Sequence, residues 1–101
     1  MYLSINIDEL KDLIANNHIM LIDVRSKDEY IEKHIPIAGN LPIELIESGA
    51  FIPEPGKIII TACGKGGGRS ERAANYLRDH YQNTVYFLEG GTFGWFEHET
   101  N

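Results

Sequence analysis

Cysteine occurs once in this chain, so no internal disulfide can form, and no pairing of Cys63 with the four histidines has the spacing of a metal site. Long hydrophobic runs are also missing. No segment approaches the ~20 apolar residues of a membrane span, and residues 1–10 hold neither a basic stretch nor an apolar run of signal-peptide length. The cytoplasm, where a free thiol stays reduced, is the expected location. Positive charge is scarce too. Nine Lys and Arg face fifteen Asp and Glu, a formal net charge of -6, which repels nucleic acid and anionic membrane surfaces; neither is an expected partner. Nothing suggests a metal or an organic cofactor.

What is present suits one globular domain over residues 1–101, with an apolar share of 43% to fill its core. Repeats, low-complexity tracts and linkers are absent, and short apolar runs alternate with amphipathic stretches, the pattern of a mainly parallel sheet covered by helices. Asn6 with Glu9 three residues on predicts a capping box and a helix from Ile7 to Asn16, whose Ile7, Leu10, Leu13 and Ile14 share a face. Ile19 to Ile22 reads as a strand buried on both faces, ending at Asp23-Val24-Arg25. A polar helix is expected over Lys27 to Lys33, stopped by Pro36. All four prolines, with Gly39 and Gly49, fall between Ile35 and Pro55, which predicts irregular structure with a short helix near Ile43 to Ser48. Ile58 to Ala62 is the strongest strand signal. Ser70 to His80 has helical spacing in Ala73, Ala74 and Leu77, Val85 to Leu88 reads as a strand, and Gly90-Gly91 turns into a helical turn over Phe93 to His98.

The strand at Ile58 to Ala62 runs directly into Cys63-Gly64-Lys65-Gly66-Gly67-Gly68-Arg69-Ser70 and then a helix. The carboxyl end of such a strand lies where open α/β sheets bind ligands. Glycines without Cβ allow successive amides to point at one centre, a nest that attracts an anion, and the following helix adds its positive end. The same donors, with Lys65 and Arg69, favour a thiolate; cysteines in such settings have pKa values of about 3.5–7.5. A lone cysteine after an apolar strand is otherwise a small buried hydrophobe. Three consecutive glycines pack nothing, however, and point to a backbone curled around a ligand. The expected nucleophile is therefore Cys63, with Arg69 beside it in the reaction and Gly64, Lys65, Gly66, Gly67, Gly68 and Ser70 binding substrate.

Other polar residues read as structural. His18, His34, His80 and His98 are scattered and propose no triad. Asp23 and Arg25 suit an ion pair or a loop hydrogen bond near the crevice. Trp95 and Phe96 suit either a wall of the site or a seal on the core. Glu29, Glu32, Glu44 and Glu47 read as solvated helix faces.

Four motifs in order resemble the rhodanese-like domains over nearly the whole chain: Asp23-Val24-Arg25, Glu29-Tyr30, His34 to Pro42, and Leu88 to Trp95 with its Gly90-Gly91. The resemblance implies a three-layer α/β fold: a mainly parallel five-stranded sheet, helices on both faces, and the loop in a crevice at the sheet's edge. It also implies sulfur transfer, in which Cys63 takes a sulfane sulfur from a small anionic donor such as thiosulfate, or from a protein donor, holds it as a persulfide and yields it to a thiol or cyanide. Five residues separate Cys63 from Arg69, as in the related cell-cycle phosphatases and the fungal and plant arsenate reductases. Phosphate-ester hydrolysis or arsenate reduction is thus an alternative, as is a sulfur-carrier module serving one protein partner. Against the phosphatase reading, the loop holds no carboxylate to protonate a leaving group.

Overall fold

A computed structural model of the chain describes residues 3–16 and 18–99. Residues 1, 2, 17, 100 and 101 lie outside the description. Among the described residues ten elements follow one another: β1 (Ser4–Ile5), α1 (Ile7–Asn16), β2 (Ile19–Asp23), α2 (Lys27–Glu32), β3 (Gly39–Asn40), α3 (Ile43–Glu47), β4 (Ile58–Ala62), α4 (Gly68–His80), β5 (Val85–Leu88) and α5 (Gly91–Glu99). The strands form one sheet in the order β1-β5-β4-β2-β3, and all its described pairings are parallel. This is the expected three-layer α/β fold.

Strand parity explains the two cores. Along β2, β4 and β5, residues Ile22, Ile59, Val85 and Phe87 join Ile43 and Ile46 of α3 and Ala73, Ala74 and Leu77 of α4. Their neighbours Leu21, Ile60, Ala62 and Leu88 turn the other way, onto Leu10 of α1, Ile35 and the half-buried Tyr30 and Trp95. Side chains alternate across a strand, so burying both faces demands the unbroken apolar runs seen in the sequence. By the same parity Cys63 shares a face with Ile59 and falls in the core cluster under α4.

The chain starts at the edge strand β1, crosses to β2, moves out to the opposite edge at β3, then returns to β4 at the centre and ends its strands at β5, between β4 and β1. The order therefore reverses between β2 and β4, and their carboxyl ends frame a crevice at that switch point. The loop sits at the end of the central strand rather than at a lateral edge of the sheet. Two strands escaped the sequence reading, β1 and β3. Each is two residues long, too short for alternation to register, and each is defined by its neighbour: Ile5 pairs with Leu88, and Gly39 with Ile22.

Candidate active site

The loop is shaped from behind by the start of α5. The amides of Thr92 and Phe93 donate to the carbonyls of Cys63 (2.8 Å) and Gly64 (3.0 Å), which ties the start of the loop to α5. Gly66 has φ +79°, and a Cβ there would strike the backbone of Leu88, Gly90 and Gly91. Gly91, at φ +59°, answers it, since its Cβ would strike the backbone of Cys63, Gly64 and Gly66. The glycine pair near the C-terminus thus serves the cysteine loop, with backbone packed on backbone. Helix α4 opens at Gly68, earlier than its apolar spacing predicts, with Gly67 at the N-cap.

The Cys63 sulfur belongs to a residue that is 5% exposed. It lies 3.2 Å from the Ser70 hydroxyl and 3.3 Å from the Gly67 carbonyl, to which the Ser70 hydroxyl also donates at 2.9 Å. Thr61 Oγ1 donates to the Ser70 carbonyl at 2.7 Å and fixes the first turn of α4 against β4. Burial pushes the thiol pKa up. The Ser70 hydroxyl and the amides of Ser70, Gly66 and Gly67 outweigh that and hold it below the ordinary thiol value. Of the loop residues named from sequence, Gly66, Gly67 and Ser70 therefore act on the sulfur through their own donors. Gly64 is buried against the ring of Phe93, Gly68 belongs to α4, and Lys65 is exposed without an ion pair among the described residues.

Arg69 turns onto a carboxylate that sequence reading assigned to a solvated helix face. Its Nη1 and Nη2 donate to Glu29 Oε1 (2.8 Å) and Oε2 (3.1 Å). That bond, with lesser help from Ser26, holds the Glu29 carboxyl at about 2 although partial burial opposes it. Glu29 is also the N3 partner of a Ser26 capping box, so the first turn of α2 and the loop share one side chain. Arg69 is in turn held above its ordinary value, first by Glu29 and further by the charges of Cys63 and Asp23. No signal in the sequence pairs positions forty residues apart; only the Glu29-Tyr30 motif marks the residue. Glu47 likewise pairs with Arg72, 2.9 Å away.

Asp23 and Arg25 form the expected ion pair, fully buried, with Arg25 Nη2 2.8 Å from Asp23 Oδ2. Arg25 also donates to the Lys33 carbonyl, and the Asn40 amide donates to the carbonyls of Asp23 and Arg25. Phe93, unmarked in the sequence, lies between this pair and the loop. Its ring centroid is 5.8 Å from Arg25 Cζ, and a Cβ on Gly64 would come within 3.1 Å of the ring. With Arg25, Glu29, Glu32 and Lys33 it lines a cleft of about 110 Å³. A larger hollow of about 400 Å³ lies over β1 and α1, remote from the sulfur. Trp95 packs into the core on the α1 side, and Phe96 lies beneath Lys33. His34 and His80 stack on Tyr30 and Tyr76 and bond to their carbonyls, which agrees with structural roles.

The family model for the rhodanese-like domain matches residues 6–98, which takes in all four motifs and both glycine segments. The chain belongs to the rhodanese-like domain family. A rhodanese-related protein from Thermoplasma volcanium has a crystal structure that superposes with a TM-score of 0.83 at 30% identity, covering 96% of this chain and 93% of that one. Thiosulfate sulfurtransferase GlpE of Coxiella burnetii is 30% identical over 98 residues, 97% of this chain and 91% of its own length. A Synechocystis relative, uncharacterized protein slr1261, is 29% identical over 86 residues; the match spans 85% of this rhodanese-like chain and 48% of that protein. No helix among the described residues is long and apolar enough to cross a membrane.

Proposed function

We propose that the chain is a sulfurtransferase that takes a sulfane sulfur from thiosulfate or a persulfide, carries it as a persulfide on Cys63 and passes it to a thiol or cyanide. The observation that carries this reading is the convergence of the Gly66, Gly67 and Ser70 donors on one buried sulfur, which lowers its pKa. In the first half-reaction the Cys63 thiolate attacks the outer sulfur of the donor. The donor S–S bond breaks as the Cys63 S–S bond forms, and the electron pair leaves with sulfite or with the donor thiolate. In the second, an acceptor thiolate or cyanide attacks the outer sulfur and returns the Cys63 thiolate. The cradle has the same task in both halves, because the negative charge sits first on Cys63 and then on the sulfur beyond it. Ser70 can turn its hydrogen from the Gly67 carbonyl to that charge. The exposed Lys65 guides the anionic donor, while the Arg69 guanidinium is held by Glu29.

The state of the carboxylate that holds Arg69 supports sulfur over a phosphate ester. A leaving alkoxide calls for a proton donor, and Glu29 at about 2 is ionised at neutral pH. Sulfite and thiolates leave without one. The name of the Coxiella relative points the same way.

Incubation with thiosulfate and cyanide should give thiocyanate, and Cys63→Ser should give none. Intact mass should rise by one sulfur atom on exposure to thiosulfate and not after alkylation of Cys63. Loading by a protein donor alone, with poor thiosulfate turnover, would instead mark a carrier for one partner; turnover of an aryl phosphate without sulfur transfer would overturn the reading.

A further inference from the structure

The charges around the sulfur are paired off in a way that bears on which donor the site accepts. Arg25 is matched by Asp23 inside the fold, and Arg69 is gripped by both oxygens of Glu29. Glu32 and Lys33 line the adjoining cleft with opposite signs. Among the described residues, two lysines near the site, the exposed Lys65 and Lys33 over the Phe96 ring, have no carboxylate ion pair, so the guanidinium beside the thiolate is the cation that is taken. A loop that gathers amide donors on a thiolate while its guanidinium is already occupied is set for a donor of low charge. A dianion such as thiosulfate must either displace Glu29 from Arg69 or bind without that arginine, beside two negative groups, the thiolate and Glu29.

We infer that Glu29 is a specificity-determining residue, which withholds Arg69 from dianionic donors and thereby favours singly charged persulfides over thiosulfate. The inference rests on the sulfur-transfer reading above and deepens it. Chemistry at the sulfur is the same for both donors: one S–S bond broken, one formed, the electron pair leaving as sulfite or as a thiolate. The discrimination falls on binding, so it appears in KM for the dianion rather than in the rate of transfer once bound. Glu29 does not touch the reacting atoms and acts through Arg69.

Glu29→Gln separates charge from architecture. Gln at the same capping-box position still answers Ser26, so the first turn of α2 is kept while the carboxylate is lost. The experiment compares wild type and E29Q in steady-state transfer from thiosulfate and from a monoanionic alkyl persulfide, with intact-mass detection of the Cys63 persulfide and a melting curve for each protein. The expected result is a KM for thiosulfate about tenfold lower in E29Q, with little change for the persulfide. That gain should disappear in the E29Q/R69Q double variant, whose partner Arg69 is gone. A purely structural role for Glu29 would move both donors together.

An unchanged or raised thiosulfate KM in E29Q, or equal shifts for the two donors, would overturn the inference and leave sulfur transfer standing. Failure of both donors to load Cys63 in wild type would instead remove the sulfur-transfer reading, and the inference with it. Should E29Q melt early, the dependence of thiosulfate KM on ionic strength in wild type decides between the same two outcomes. A free Arg69 predicts that KM climbs steeply with salt, whereas an arginine tied to Glu29 predicts a shallow dependence.

Discussion

At Cys63 one penalty, burial, is opposed by a hydroxyl and three amides, and the hydroxyl of Ser70 is the largest of the opposing influences. Ser70→Ala keeps the amides and removes that donor from a fully buried position. The thiol pKa should rise, and alkylation at pH 7 should slow about tenfold, since a hydrogen bond to a charged group is worth ~1.5–3 kcal/mol; the pH dependence of the alkylation rate checks both. At Glu29 the sign is that of a stabilised carboxylate. Its folded value of about 2 lies below its ordinary 4.5, so the contribution to stability is fully present above pH 4.5 and is lost as pH falls toward 2. Carboxyl chemical shifts followed by NMR should show Glu29 titrating near 2, with no part in any activity change between about pH 5 and 9. Cys63 and its loop could be picked out from residue types alone, because a cysteine followed by glycines and cations has few other physical readings. Phe93 and the partner of Arg69 could not, because exposure and pairing are settled by residues distant in sequence.

Elements predicted from sequence match the structure where periodicity is strong. The Asn6 and Glu9 capping box is present, each side chain accepting from the other's amide at 2.8 and 2.9 Å, and β4 runs over the expected residues. The three consecutive glycines of the loop are not equivalent, and Gly66 is the constrained one. Gly66→Ala forces a positive φ on alanine and drives Cβ into the backbone ahead of α5, so it should cost about 2–4 kcal/mol and displace the cradle. Gly68→Ala meets open space at the first residue of α4 and should be neutral or stabilising by up to ~1 kcal/mol. Urea unfolding of the two variants tests the contrast, which adjacent glycines in a disordered turn would not show.

Over the whole molecule, a single sheet carries both cores, and every central strand contributes alternate residues to each. Neither core can come apart while the sheet persists, so near- and far-ultraviolet circular dichroism should report one coincident thermal transition. The buried pair at the switch point ties β2 to the segment beyond α2. Asp23→Ala leaves the Arg25 guanidinium uncompensated inside the fold and should destabilise by about 3–5 kcal/mol in urea titration, with activity falling as Phe93 loses its backing. Local periodicity, turn chemistry and ordered motifs were enough to read the α/β alternation, the strand that delivers Cys63 and the family from the residues in order. That Gly91 seats Gly66, that Glu29 holds Arg69 and that Phe93 closes the cleft is visible in the folded chain alone. Each of these joins segments far apart along the chain, and the force that joins them, packing or a charge-assisted hydrogen bond, exists only once the sheet has brought them together.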